Sequence, residues 1–154
     1  MRTSKLMTLS VLVAAGIGLT LDEVTETHER LPAPESFEIA SGKIAAGTAA
    51  ALRFEVRGLV DGHARVVLEH VTRLRADLAP DWPQPAQEGG SYRVEITGEP
   101  HYALDLCLGS DRGDHNHAGL VATAMRVVNA VPPVVAAEPG IRTVLDLALR
   151  PVRG

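Results

Sequence analysis

Cysteine is nearly absent: Cys107 is the single one in 154 residues, so no disulfide can close within the chain, and no Cys/His spacing resembles a structural zinc site. Aromatic side chains make up only 3% of the sequence, which leaves Ala, Val and Leu to fill most of the interior. A core of that kind binds through shape more than through stacking. Clustered positive charge is also lacking. Almost all of it is arginine scattered singly, and a net charge of -4 with a pI near 5.8 argues against a nucleic-acid partner. The apolar run from Leu6 to Ala15 is too short to span a bilayer, so no membrane partner is expected. No nucleophile elbow, no carboxylate pair at hydrolase spacing and no glycine-rich phosphate cradle survives inspection, so no catalytic residue is assigned.

What is present fits one domain, long enough to bury a core without staples. Arg2 and Lys5 ahead of Leu6 to Ala15, with small residues at Ala14, Ala15 and Gly16, loosely imitate a secretory signal. A core helix is the preferred reading, and export stays as a weaker alternative. Gly16-Ile17-Gly18 after an apolar run also mimics the start of a dinucleotide loop. However, Leu21 stands where the third glycine should fall, and no strand carrying an acidic residue follows at the right distance.

Asp22 to Arg30 reads as an exposed strand before the Pro32-Ala33-Pro34 break, with His28 a surface residue. Residues 36 to 51, with Gly42 and Gly47 among small neighbours, suggest a strand and a loop close to another backbone. Leu52, Phe54 and Val56 alternate with Arg53, Glu55 and Arg57, and Asp61-Gly62 supplies a turn before a second run from Arg65 to Leu74. A two-residue loop sets Glu69 opposite Phe54, and a three-residue loop that includes His63 sets His70 there. Either group is expected to be an interior charge paired with Arg53 or Arg73. Arg75 to Gly90 should be an irregular connector in which Trp82 plugs the edge of its own core, with a pocket wall as the other reading.

A second hairpin runs from Ser91 to Leu108. A turn of Gly98, Glu99 and Pro100 aligns Tyr92 with Leu106, Val94 with Leu104 and Ile96 with Tyr102 on one face, and Arg93 with Asp105 on the other. Cys107 is expected to be a small interior residue. Asp114 or Asn116 caps a helix whose apolar positions Leu120, Val121, Ala124, Val127, Val128 and Val131 should pack on the sheet. Pro132 and Pro133 should end it, and Thr143 to Leu149 should form a last strand. The sum is an α+β fold: a largely antiparallel (mixed) sheet with two or three helices packed on one face.

His115 and His117 converge if they sit on a turn and diverge in a helix, and with no third ligand at suitable spacing no metal is assigned. Beside the free N–H groups of a helix start, these imidazoles and Asn116 can hydrogen-bond a polar substrate, directly or across water. Ordinary capping with surface histidines is the competing reading.

The blocks LRFEVRGLVDGHARVVLEHVTRLRADLAPDWPQP and GDHNHAGLVATAMRVVNAVPPVVAAEPGIRTVLDLAL resemble the C-terminal domain of dihydrodipicolinate reductase-like oxidoreductases, in the branch holding 2,4-diaminopentanoate dehydrogenases and native amine dehydrogenases. The likeness runs from about Leu19 to Leu149. It implies a division into residues 1–18, an N-terminal helix or truncated start, and residues 19–154, the C-terminal domain. In that family a Rossmann domain binds NAD(P), and the α+β domain shapes the substrate pocket and joins subunits. The HHxxKxDxPSGT motif of true dihydrodipicolinate reductases is absent here, which disfavours their lysine-biosynthetic substrate. The resemblance assigns His115, Asn116 and His117 to substrate binding and no residue to the cofactor, and Trp82, read as a pocket wall, joins them as a substrate-binding candidate. The likeness implies an amine or ketone ligand and a homo-oligomer, and leaves room for a separate Rossmann polypeptide as partner; the single cysteine fits a reducing, cytoplasmic location. The expected protein is an oxidoreductase acting on CH–NH2 groups that lacks its Rossmann domain and is inactive alone. The alternative is a non-catalytic ligand-binding or assembly module of the same fold.

Overall fold

The first apolar run folds as a helix, α1 (Lys5–Gly16), in the computed structural model of the chain, which describes residues 5–147. Its end explains the two glycines. Gly18 takes φ +75°, the Leu19 N–H donates to the Ala14 carbonyl at 2.8 Å, and the Gly18 N–H donates to the Ala15 carbonyl at 3.1 Å. This pair of bonds is a glycine-terminated helix cap. Gly16 and Gly18 therefore close a helix and cradle no phosphate.

The chain divides into two compact units, one ending at Gln84 and the other beginning at Pro85. In the first, β1 (Glu23–Pro32) precedes a small antiparallel hairpin of β2 (Phe37–Ile39) and β3 (Gly42–Ile44). Two long strands follow, β4 (Ala49–Val60) and β5 (His63–Arg73). The sheet order is β1-β4-β5 and both ladders are antiparallel, so β4 is the central strand. Residues 36 to 51 thus hold two short strands as well as a loop.

The β4–β5 register takes something from each expected alternative. The loop has two residues, Asp61 and Gly62, both at positive φ, with Val60 facing His63. Next to it the register slips by one: Leu59 faces Ala64 while Gly58 faces Val66, which leaves Arg65 as a bulge. That extra residue brings His70 opposite Phe54, where a regular two-residue hairpin would have placed Glu69. The rings of Phe54 and His70 stack at 4.9 Å, and His70 Nε2 lies 2.7 Å from the Thr72 hydroxyl. Glu69 turns to the other face and pairs with Arg53 at 2.6 Å, and Arg53 also reaches Glu29 at 3.1 Å. The pairing with Arg53 is as expected, but with side chains about 30% exposed it is a surface ladder and not an interior charge.

α1 packs across β1, β4 and β5 through a narrow stripe that includes Ser10 and Ala14. Ser10 is fully closed to solvent, and its hydroxyl is satisfied by donating to the Met7 carbonyl at 2.8 Å. Beneath the helix Val56 has no exposed surface and Val66 very little. A second cluster of Ala33, Ala50, Ala51, Leu78 and Ala79 lies beyond it, with Leu31, Phe37, Ile44, Leu74 and Trp82 packed against it. Trp82 is thus a plug at the edge of an alanine-rich core. The connector around it is ordered by Arg73, which donates to the carbonyls of Leu78, Ala79 and Pro83 at 2.9, 3.2 and 2.9 Å.

The second unit contains an antiparallel hairpin, β6 (Tyr92–Ile96) with β7 (Tyr102–Leu106), and a helix, α2 (His115–Val135). The hairpin has the expected register throughout, and Arg93 grips both carboxylate oxygens of Asp105 at 2.9 Å. Four expectations need correction. Cys107 is exposed, because it follows directly on a ribbon that is itself exposed on both faces. The helix runs through Pro132 and Pro133 to Val135, because two prolines near its end cost only the bonds their missing N–H groups would have made. The Ala136 N–H still closes the turn on the Pro132 carbonyl at 3.1 Å. Instead of a strand, Thr143 to Asp146 forms a turn: the Asp146 carboxylate accepts from the Thr143 N–H and hydroxyl, and the Asp146 N–H returns to the Thr143 carbonyl. Residues 148 and 149 of that expected strand lie outside the described residues. The apolar stripe of α2 is also exposed where packing on a sheet was expected, with Leu120 72% and Val127 70% accessible.

Among the described residues, three antiparallel sheets and two helices make an α+β fold. Val56→Ala should lower unfolding stability by about 2 kcal/mol, since a fully enclosed side chain is lost and α1 cannot collapse into the gap. Urea unfolding followed by Trp82 fluorescence checks this, and a loss under about 0.5 kcal/mol would mean that α1 does not seal the sheet.

Candidate functional site

The run Gly113-Asp114-His115-Asn116-His117 changes direction because Asp114 is extended, at φ -78° and ψ -173°, and its Oδ1 accepts the His117 backbone N–H at 3.0 Å. This is an N-cap, which satisfies one of the free donors of the first turn. His115 and Asn116 thereby become the first two helical residues. The carboxyl of Asp114 is held below the usual carboxylate range, first by the His117 N–H, with help from the Asn116 side chain and backbone and the nearby His115.

Helical geometry then separates the two imidazoles. His115 turns toward Gln87, Gly90 and Tyr92, with its ring centroid 6.1 Å from that of Tyr92. His117 lies over Gly113, where an added Cβ would come within 2.7 Å of the His117 Cβ. A shallow, open depression is lined by Tyr92, His115, Asn116, Gly119, Leu120 and Thr123. Of the residues expected from sequence, His115 and Asn116 are brought together there. His117 faces elsewhere, and Trp82 belongs to the alanine core of the first unit. No group of three or more His, Cys, Asp or Glu side chains suited to a metal ion occurs among the described residues.

Tyr92, Gly119 and Thr123 were missed as site residues, although a signal for two of them was available. Positions 115, 119 and 123 repeat every four residues and share one helix face. The Thr123 hydroxyl donates to the Gly119 carbonyl at 2.9 Å, which anchors it on that face. The phenol, imidazole, amide and hydroxyl surround the apolar Leu120 and the bare backbone of Gly119. Such a surface can hold a small molecule with one polar head and a short apolar body.

A second open groove crosses β1 and β4 on the first unit, lined by Thr25, Thr27, Glu29, Arg53, Glu55 and Arg57. Its arginines are already engaged, Arg53 with Glu29 and Glu69 and Arg57 with Glu55 at 2.5 Å. It reads as a charge-balanced sheet face whose arginines are already paired.

The profile of the 2,4-diaminopentanoate dehydrogenase C-terminal domain matches residues 7–152. An amine dehydrogenase of Streptomyces virginiae is 42% identical over 146 residues, covering 93% of this chain and 40% of that protein. The solved amine dehydrogenase from Mycobacterium smegmatis shares the fold, with a TM-score of 0.63 at 23% identity over 92% of this chain and 37% of that one. The chain thus spans about two fifths of the length of the curated relative it matches.

The depressed carboxyl of Asp114 has a direct consequence. Its contribution to stability is fully present above the unfolded value of 3.8 and is lost as pH falls through the lower folded value. Asp114→Ala should therefore unfold at lower temperature than the wild type at pH 6, and the gap should narrow as pH falls below 3.8. Circular dichroism melts across that range check it; a gap that persists unchanged at the acid end would show that the cap charge contributes nothing.

Proposed function

We propose, since this chain belongs to the 2,4-diaminopentanoate dehydrogenase C-terminal domain family, that it is the substrate-side lobe of an NAD(P)-dependent oxidoreductase acting on CH–NH2 groups. The family match over residues 7–152 carries this reading, supported by the 42% identity to an amine dehydrogenase. In this role His115, Asn116, Tyr92 and Thr123 orient the polar end of an amine or its ketone, and Leu120 meets the alkyl part. Gly16 to Gly18 close a helix, so these residues do not fit a pyrophosphate and no step through the nicotinamide is assigned to them. Hydride transfer then depends on a Rossmann lobe outside this sequence, and these 154 residues do not turn over alone. A cytoplasmic setting suits that chemistry.

A second role, as an assembly surface, has its own support. Tyr92, Val94, Ile96, Tyr102, Leu104 and Leu106 line one face of the β6–β7 ribbon and each is more than half exposed. A two-stranded ribbon with an uncovered apolar face is marginal in water, so protein is the expected cover. By length and composition α2 also satisfies the requirement for a membrane span. Arg126 near the middle of the helix, together with dehydrogenase relatives, favours a protein-covered surface.

Thermal-shift titration with short alkyl amines and the matching ketones tests the pocket. A ligand-dependent rise is expected in the wild type and its loss in His115→Ala and Asn116→Ala; no rise with any of them would sink the reading. NAD(P)H fluorescence titration should show no micromolar binding to this chain, and a clear micromolar isotherm would place the cofactor here instead. For assembly, light scattering should report an oligomer that Val94→Glu with Leu104→Glu weakens by at least about tenfold, since each change leaves a charge against an apolar face. A monomer at all concentrations would refute that role.

A further inference from the structure

Gln87, just ahead of the Gly89-Gly90 pair, had no role in the sequence reading. Its amide nitrogen lies 2.9 Å from the Gly90 carbonyl oxygen, 3.0 Å from that of Leu108 and 3.2 Å from His115 Nδ1. The two carbonyls settle which way the amide points, because its oxygen in the same place would face two acceptors. An amide NH2 only donates. Its two hydrogens serve three neighbours, so one is shared between a carbonyl and His115 Nδ1; an Nδ1–H would face a nitrogen that cannot accept, which favours a neutral ring with a bare Nδ1 and its hydrogen on Nε2.

Gly90 supplies a second constraint. At φ +143° it occupies a backbone region closed to ordinary side chains, and a Cβ built there would lie 2.7 Å from His115 Nε2. The ring thus packs beside the bare Gly90 backbone, is tied to Gln87 through Nδ1 and is flanked by the Tyr92 ring. Gln87 also joins the loop before β6 to the end of β7 through the Gly90 and Leu108 carbonyls, so the group that orients the imidazole is itself held by the hairpin.

We infer that Gln87 is a positioning residue that sets the tautomer of His115, so that the imidazole presents Nε2–H as a hydrogen-bond donor. This rests on the reading of His115 as a pocket residue. It deepens that reading, because a donor serves an acceptor: the ligand atom at His115 is the oxygen of a carbonyl and not the nitrogen of an ammonium.

Long-range proton–nitrogen NMR spectra of the full chain with isotope-labelled histidine test this, with His115 identified by the signals lost in His115→Gln. The wild type should show Nε2–H in excess over Nδ1–H by about fivefold more than free histidine's own preference for that tautomer, the effect of one net hydrogen bond. In Gln87→Glu the carboxylate accepts instead of donating, and the proton should move to Nδ1. In Gln87→Met the donor is removed without added charge, and the excess should fall severalfold. A wild-type ring protonated at Nδ1 overturns the inference. So does a tautomer that ignores both substitutions while the backbone spectrum keeps its native pattern. The spectra need no ligand, so a failure of amine or ketone binding strikes the pocket reading alone.

Discussion

Asp114 Oδ1 accepts the His117 N–H, and through that bond the cap decides which residues of a polar run are helical. Had Asn116 been the cap, α2 would start two residues later, and His115 would sit in the loop with its direction unset. With Asp114 as cap, His115 and Asn116 enter the first turn, and a four-residue repeat carries the same face through Gly119 and Thr123. The depression, the split between the two imidazoles and the approach of His115 to Gln87 all follow from that starting point.

The two units meet the scarcity of aromatic side chains differently. The first fills its core with alanine and valine and uses long arginine side chains as struts: Arg73 satisfies three carbonyls of the connector, and Arg75 bonds Asp77 and Glu35 while stacking 4.7 Å over Phe37. Both are needed because small residues pack closely but cannot bridge an irregular loop. The second unit keeps its larger residues, including both tyrosines, on exposed faces. Its few firm interior contacts gather around Gln87, Gly90 and His115, where polar groups, and not apolar area, hold the chain in place.

How far the fold could be read depended on whether the deciding contact was local. In β6–β7 one pattern of apolar and charged residues satisfied both strands at once, so Tyr92 to Leu106 and Arg93 to Asp105 could be aligned without coordinates. The β4–β5 pairing looked equally regular, yet a single unpaired residue at Arg65 moved every later pair by one, and no side-chain pattern announces a bulge. The prolines at 132 and 133 carry a strong stop signal, but the cost is small where few bonds remain to be lost. Of the site, the histidines and Asn116 were legible as polar residues at a helix start. Gln87 was not, because its importance lies in three acceptors brought to one amide by chain segments far apart in sequence.

Periodicity, turn chemistry and the pair of recognisable blocks determined the α+β class, the antiparallel hairpins, the presence of a polar start to α2 and the family. Those features depend on neighbours within a few residues or on direct likeness. Only the tertiary structure decided that His115 and His117 part company, that Trp82 serves the alanine core, and that His70 and not Glu69 meets Phe54. The physical reason is the same each time: a cap, a bulge or an amide bridge selects between local conformations of similar energy, and the groups that select are set by the folded chain.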